Sequence, residues 1–152
     1  MNIFHKFYLI LLVIFLASCS SVSTDRTNDA TAISASASEA YSDYGITSNN
    51  VLYFAYDRSD INSEGRAKIR NLAEIINNND LSVRVEGHCD ERGTREYNLA
   101  LGQRRAESVA DYLESRGVDR SRLVVKSYGE ESPAVSASNE RAWARNRRVE
   151  IK

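Results

Sequence analysis

Leu81-Ser82-Val83-Arg84-Val85-Glu86-Gly87-His88-Cys89-Asp90-Glu91-Arg92-Gly93-Thr94 changes character halfway along. Its first six residues alternate apolar and polar, the period of a strand covered on one face. From Gly87 the run turns polar and reads as a loop, and Thr94 is placed to cap a helix over 95–115 that Gly117 closes. The same alternation of strand and helix continues on both sides. Upstream, Val51-Leu52-Tyr53-Phe54-Ala55-Tyr56 is apolar at nearly every position, as expected of a covered central strand. Asp57 to Asp60 is a loop, and Asn62 or Ser63 can cap a helix over 63–77. Downstream, Leu123 to Tyr128 is a third strand ended by Gly129, and Pro133 lies in a loop. Asn139 can cap a short helix carrying Trp143, and Arg148-Val149-Glu150-Ile151 closes the chain as a strand. Strands alternating with helices of crossover length predict an α/β (α+β) sandwich, a βαβαβ(α)β order with helices packed on a small mixed sheet. The last connection is short, so the final strand is expected to run antiparallel.

Helical spacing separates the core from the rest. In the first helix Gly65, Ile69, Leu72, Ala73 and Ile76 share one stripe at about 100° per residue. In the second, Leu99, Gly102, Ala106, Val109, Ala110 and Leu113 form an apolar stripe, flanked by Asn98, Leu101, Arg105 and Tyr112. Arg104 falls on the solvent side. Arg105 borders the core and calls for an anionic partner.

Composition bounds the function. The 152 residues carry 20 Lys+Arg against 21 Asp+Glu, and 42% are apolar. This is enough for one ordinary domain with a real core. Charge this balanced argues against a nucleic-acid binder. Two cysteines make no disulfide framework, and no compact Cys/His zinc pattern is present.

The N-terminal part reads differently. Phe7 to Leu16 is an unbroken apolar run after His5 and Lys6, too short to span a bilayer core comfortably. Residues 1–18 are therefore expected to be a secretory signal. Leu16-Ala17-Ser18-Cys19 resembles the lipobox of bacterial lipoproteins. That resemblance implies cleavage before Cys19 and covalent acylation of it, and Ser20 suggests the outer membrane as destination. Several acyl chains anchor where a single one binds marginally. Residues 19–48 are rich in Ser, Thr, Ala, Asp and Asn and read as a flexible linker, with a coil span of about 30 Å. An alternative is that 39–48, with Tyr41 and Tyr44, packs as an arm. The folded domain is expected over 49–152.

The polar cluster from Gly87 to Thr94 sits between a strand end and a helix start, where α/β sheets usually bind ligands. If the strands ending at Tyr56 and Glu86 run parallel, Tyr56-Asp57 opens on the same rim. His88, Cys89 and Asp90 suggest a thiol nucleophile or a metal. Adjacent residues of extended chain point apart, however, so His88 and Cys89 are poorly placed as base and nucleophile. One histidine and one unmodified cysteine would remain after processing, so a zinc site would need extra carboxylates. No metal is expected, and Cys89 reads as a small buried side chain. Asp90 and Arg105 leave two readings open. One is an internal salt bridge. The other is a pocket for a zwitterion, with Asp90 taking an ammonium and Arg105 gripping a carboxylate through its planar fork. Glu91 and Arg92 read as a solvated loop pair, Trp143 as a packing residue, and Arg145, Arg147 and Arg148 as partners of local acids.

Glu86 to Thr94, Glu96-Tyr97-Asn98 and Leu101-Gly102-Gln103-Arg104-Arg105-Ala106 closely resemble the OmpA-like peptidoglycan-binding domain. The likeness extends through Tyr53 to Asp57, Ser127-Tyr128-Gly129, Pro133-Ala134 and Asn146 to Val149. With the lipobox, the whole resembles the peptidoglycan-associated lipoprotein family of Gram-negative bacteria. That resemblance implies a non-enzymatic outer-membrane lipoprotein facing the periplasm, with no cofactor beyond the lipid on Cys19. Its implied partners are peptidoglycan and the Tol proteins TolB and TolA, in envelope integrity and cell division. The implied ligand is the diaminopimelate of the stem peptide, and the implied contacts are Asp90, Arg105, Tyr56, Asp57 and Leu101, with Asn98 beside them. Tyr56 departs from the phenylalanine or leucine common there. A protein-only interaction module is the alternative; a wall hydrolase or transferase would release soluble fragments.

Overall fold

The computed structural model describes residues 50–152. The expected signal (1–18), acylated Cys19, linker (19–48) and packed arm (39–48) lie outside the described residues. Asn62 opens helix α1 (Ser63–Asn78) by accepting a hydrogen bond from the Gly65 amide at 2.7 Å. Thr94 opens α2 (Arg95–Glu114) through the Tyr97 amide at 3.2 Å. Asn139 opens α3 (Glu140–Asn146) through the Ala142 amide. Each cap supplies an acceptor to an amide that the helix leaves unpaired. The strands are β1 (Val51–Tyr53), β2 (Val83–His88), β3 (Leu123–Gly129) and β4 (Arg148–Ile151), with a 3-10 turn at Arg120–Arg122.

The strands form one sheet in the order β1-β4-β2-β3. β2 and β3 are parallel, while β4 is antiparallel to both β1 and β2. β1, β2 and β3 therefore run the same way, and the tips of β1 and β2 open on one rim. The antiparallel final strand is as expected. The covered central strand over 51–56 is not. β1 is a three-residue edge strand, and the chain turns away at Tyr56 and Asp57. Only Leu52 and Phe54 of the run enter the core, while Tyr53 and Tyr56 remain exposed. Aromatic side chains on the outer side of an edge strand mimic a buried strand in sequence.

All five residues of the α1 stripe are buried. On α2 the stripe is buried except Leu99, which is 44% exposed near the helix start. Arg104 faces solvent and Arg105 is buried, as the wheel separated them. The core joins Leu52, Ile69, Ile76, Val83, Val85, Val109, Leu113, Val149 and Ile151. β2 departs from its half-covered reading, because Glu86 and His88 on the face away from Val83 and Val85 are also buried. Their cover comes from distant residues. Lys152 binds Glu86 and Tyr128 stacks on His88.

Candidate binding site

The loops that leave β1 and β2 meet the first turns of α2, and between them lies a cleft of about 180 Å³. Tyr56, Asp57, Asp90, Asn98, Leu101 and Arg105 all line it, so the structure brings together the six ligand contacts expected from the sequence. Asp57 adopts a left-handed backbone (φ 55°) and accepts a hydrogen bond from the Tyr97 hydroxyl. Aspartate is among the few residues that tolerate this conformation. Asn98 donates to the carbonyls of Asp90 and Arg92 at 3.2 Å each, tying the loop to the helix.

Arg105 is the unusual member. It is 0% exposed, and its Nε donates to the Arg58 carbonyl at 2.8 Å. Nη1 donates to the His88 carbonyl at 2.9 Å and to the Cys89 sulfur at 3.3 Å, and Nη2 to the Ala55 carbonyl at 3.1 Å. Four of its five N–H groups are thereby used. Among the described residues it forms no ion pair, so the anionic partner expected from the sequence is replaced by backbone carbonyls. Burial presses its pKa down, with the neighbouring Asp90 and Asp57 charges opposing that. A guanidinium stays charged all the same, and the base of the cleft holds a positive charge that no described carboxylate contacts directly.

Asp90 is 4% exposed and is not paired with Arg105. Arg92 binds both its oxygens, Nε to Oδ1 at 3.2 Å and Nη2 to Oδ2 at 2.7 Å. Arg147 adds Nη1 to Oδ2 at 3.2 Å. Burial works against the Asp90 carboxylate, but the hydrogen bonds from Arg92 and Arg147 outweigh it and hold the carboxyl below its usual range. The internal Asp90–Arg105 salt bridge is thus not what the fold builds. Arg92 is also not a solvated partner of Glu91. Its guanidinium lies 4.2 Å from the Tyr56 ring centroid and 4.1 Å from that of Trp143, within the range of a cation–π contact. Glu91 instead accepts from Trp143 Nε1 at 3.0 Å. Arg147 and Arg148 do pair with acids near the last strand, Glu140 and Glu150.

Cys89 is buried as expected, donating through sulfur to the Asn98 carbonyl. Burial pushes its thiol up to about 11 although Arg105 pulls the other way, so a thiolate is disfavoured. His88 stacks on Tyr128 with ring centroids 5.3 Å apart. Sequence reasoning missed five residues lining the cleft: Cys89, Arg92, Gly93, Tyr97 and Arg147. Arg92 had a local signal, standing two residues from Asp90. Arg147 had none, since 57 residues separate it from Asp90.

A family model described as the OmpA family matches residues 53–147. The chain belongs to the OmpA family. This OmpA-family chain is 37% identical over 165 residues to a peptidoglycan-associated lipoprotein of Pseudomonas putida, an alignment covering 98% of it and 96% of that relative. It is 47% identical over 100 residues to the peptidoglycan-associated lipoprotein of Pseudomonas aeruginosa, covering 66% of this chain and 60% of that one. The match thus spans under two thirds of the second relative's length. Among solved structures, the peptidoglycan-associated lipoprotein from Burkholderia pseudomallei superposes with a TM-score of 0.65 at 35% identity, covering 66% of this chain and 86% of that one. The mixed sheet with helices on it is the OmpA-like fold, and the domain is a binding module rather than an enzyme.

Proposed function

We propose that this OmpA-family domain binds peptidoglycan non-covalently through the diaminopimelate of the stem peptide. The observation that carries the reading is Arg105, a buried guanidinium without a carboxylate, at the base of a cleft whose walls carry Asp90 and Asp57. Desolvating a cation costs several kcal/mol, and a ligand carboxylate delivered there recovers part of that cost. Diaminopimelate carries a carboxylate and an ammonium at one side-chain end, which suits opposite charges in one cleft. Arg105 exposes no surface, so the ligand carboxylate reaches it only once the wall shifts. Arg92 is the movable part of that wall, because its side chain is 30% exposed and reaches over Asp90. The ligand ammonium competes with Arg92 for Asp90, while Tyr56, Leu101 and Asn98 shape the cleft.

The acylated Cys19 would anchor the chain in the outer membrane, facing the periplasm, so that lipid at one end and wall at the other make a tether. Many weak contacts between two extended surfaces hold through multivalency. Partnership with the Tol proteins belongs to the same proposal. Sedimentation with purified wall sacculi tests the core of it. The protein should pellet with sacculi, and failure of the unmodified chain to do so would sink the reading in favour of a protein-only module. Added periplasmic Tol partner should reduce pelleting if both use this surface.

Trp143 gives a second readout. It is the single tryptophan of the chain and stacks on Arg92. A stem-peptide fragment that displaces Arg92 from Asp90 should change its fluorescence. An unchanged spectrum at saturating ligand would mean that Arg92 stays in place.

A further inference from the structure

On the sheet face opposite the helices, Glu86 of β2 and Glu150 of β4 stand directly opposite each other in the antiparallel register. Like charges in that relation repel, and a cation must hold them. Lys152 does so here, its ammonium 2.9 Å from Glu86 and 2.7 Å from Glu150. His88 lies two residues along β2 from Glu86. It is 2% exposed, and among the described residues neither ring nitrogen has a hydrogen-bond partner. Its Nε2 is 4.0 Å from a Glu150 oxygen, and one ligand atom from each of the three residues falls within 4.8 Å of the others. A buried imidazole without a partner is expensive to maintain.

We propose that Glu86, His88 and Glu150 form a binding site for a borderline divalent transition metal, with zinc as the natural probe, in which the metal replaces the Lys152 ammonium. One imidazole nitrogen with two carboxylate oxygens is a donor set that zinc accepts, leaving a fourth position for water. The nitrogen donor favours such an ion over magnesium or calcium, which seek oxygen alone. The imidazole is placed to ligate, because it is buried beside both carboxylates and neither ring nitrogen is held in a hydrogen bond by another described residue. The Lys152 side chain is 44% exposed, so its ammonium can swing into solvent. Arg84 and Arg148 contact the same carboxylates at 3.2 and 2.5 Å. They would remain as outer hydrogen-bond donors that orient the ligating groups, while their charge moderates the affinity. The metal would clamp β2 to β4 on the side of the sheet away from the wall-binding cleft.

Calorimetric titration of the full chain in detergent with zinc, after stripping with chelator, tests this, with thermal unfolding in parallel. One zinc per chain should bind and raise the melting temperature, and excess magnesium should not compete. His88→Gln and Glu150→Gln should each weaken binding by about tenfold or more, the scale on which metal sites respond to lost support. Lys152→Gln should tighten it, since the competing ammonium is gone. Absence of a stoichiometric site, or equal affinity in all four proteins, would overturn the proposal. Should His88→Gln fail to fold, the opposite responses of Glu150→Gln and Lys152→Gln decide. Weaker binding in Lys152→Gln would also count against it.

Discussion

Replacing Arg105 with lysine is expected to abolish retention on sacculi while leaving the domain folded. Lysine keeps the positive charge but lacks the planar fork that binds the carbonyls of Ala55, Arg58 and His88 together. A point charge on a flexible stem cannot hold both strand-end loops and still present a donor to a ligand carboxylate. Truncating one partner of a buried charged contact costs about 2–5 kcal/mol of binding, so a loss on the order of 100-fold is anticipated. Stability should fall too, by about 1 kcal/mol for each carbonyl left without its donor. Pelleting and thermal unfolding must therefore be measured together. Asp90→Asn is the companion variant, because it keeps shape and removes charge. It should also lose sacculi, since the ligand ammonium no longer finds a carboxylate. If both variants are folded and still pellet like the unmodified protein, charge recognition in this cleft is wrong.

Gly87→Ala is expected to be the most damaging small substitution in the domain. A methyl group at Gly87 would stand 2.0 Å from the Gly102 carbonyl oxygen and 2.7 Å from its carbon. Both are backbone atoms of α2, so no side-chain rotation relieves the clash. The helix would have to lift from β2, and overpacking of this kind costs about 3 kcal/mol or more. For a domain of this size that amounts to a fall of about 15 °C in melting temperature. Because α2 carries Asn98, Leu101 and Arg105, sacculus binding should fall with it. Gly102→Ala provides the contrast. Its methyl group would first meet the Ser127 hydroxyl at 2.4 Å, which can rotate at the expense of its bond to the Leu99 carbonyl, and only then Gly87 O at 3.1 Å. The first variant should therefore be clearly less stable than the second. Equal unfolding curves would mean that the helix and sheet approach less closely than described.

Local patterns made much of this legible in the sequence. The α1 stripe, the Thr94 and Asn139 caps and the separation of Arg104 from Arg105 depend on helical geometry alone, and each matches the fold. The cleft was readable because parallel strand tips share a rim. Most of what was hidden depended on partners distant in sequence. Glu86 looked solvent-facing because its cover, Lys152, lies 66 residues away. The 51–56 run looked central because its period cannot distinguish a buried strand from an edge strand flanked by exposed tyrosines. Asp90 and Arg105 were correctly placed together, yet their partners were not. Arg92 and Arg147 take the carboxylate, and backbone carbonyls take the guanidinium.

Calorimetric titration with two stem peptides that differ at a single residue bears most directly on the role of Arg105. One peptide carries diaminopimelate; the other carries lysine, which keeps the terminal ammonium and lacks the neighbouring carboxylate. The lack of a direct carboxylate partner on Arg105 predicts that the diaminopimelate peptide binds and the lysine peptide binds at least tenfold more weakly, a difference of about 1.4 kcal/mol. Equal affinities for the two peptides would contradict it.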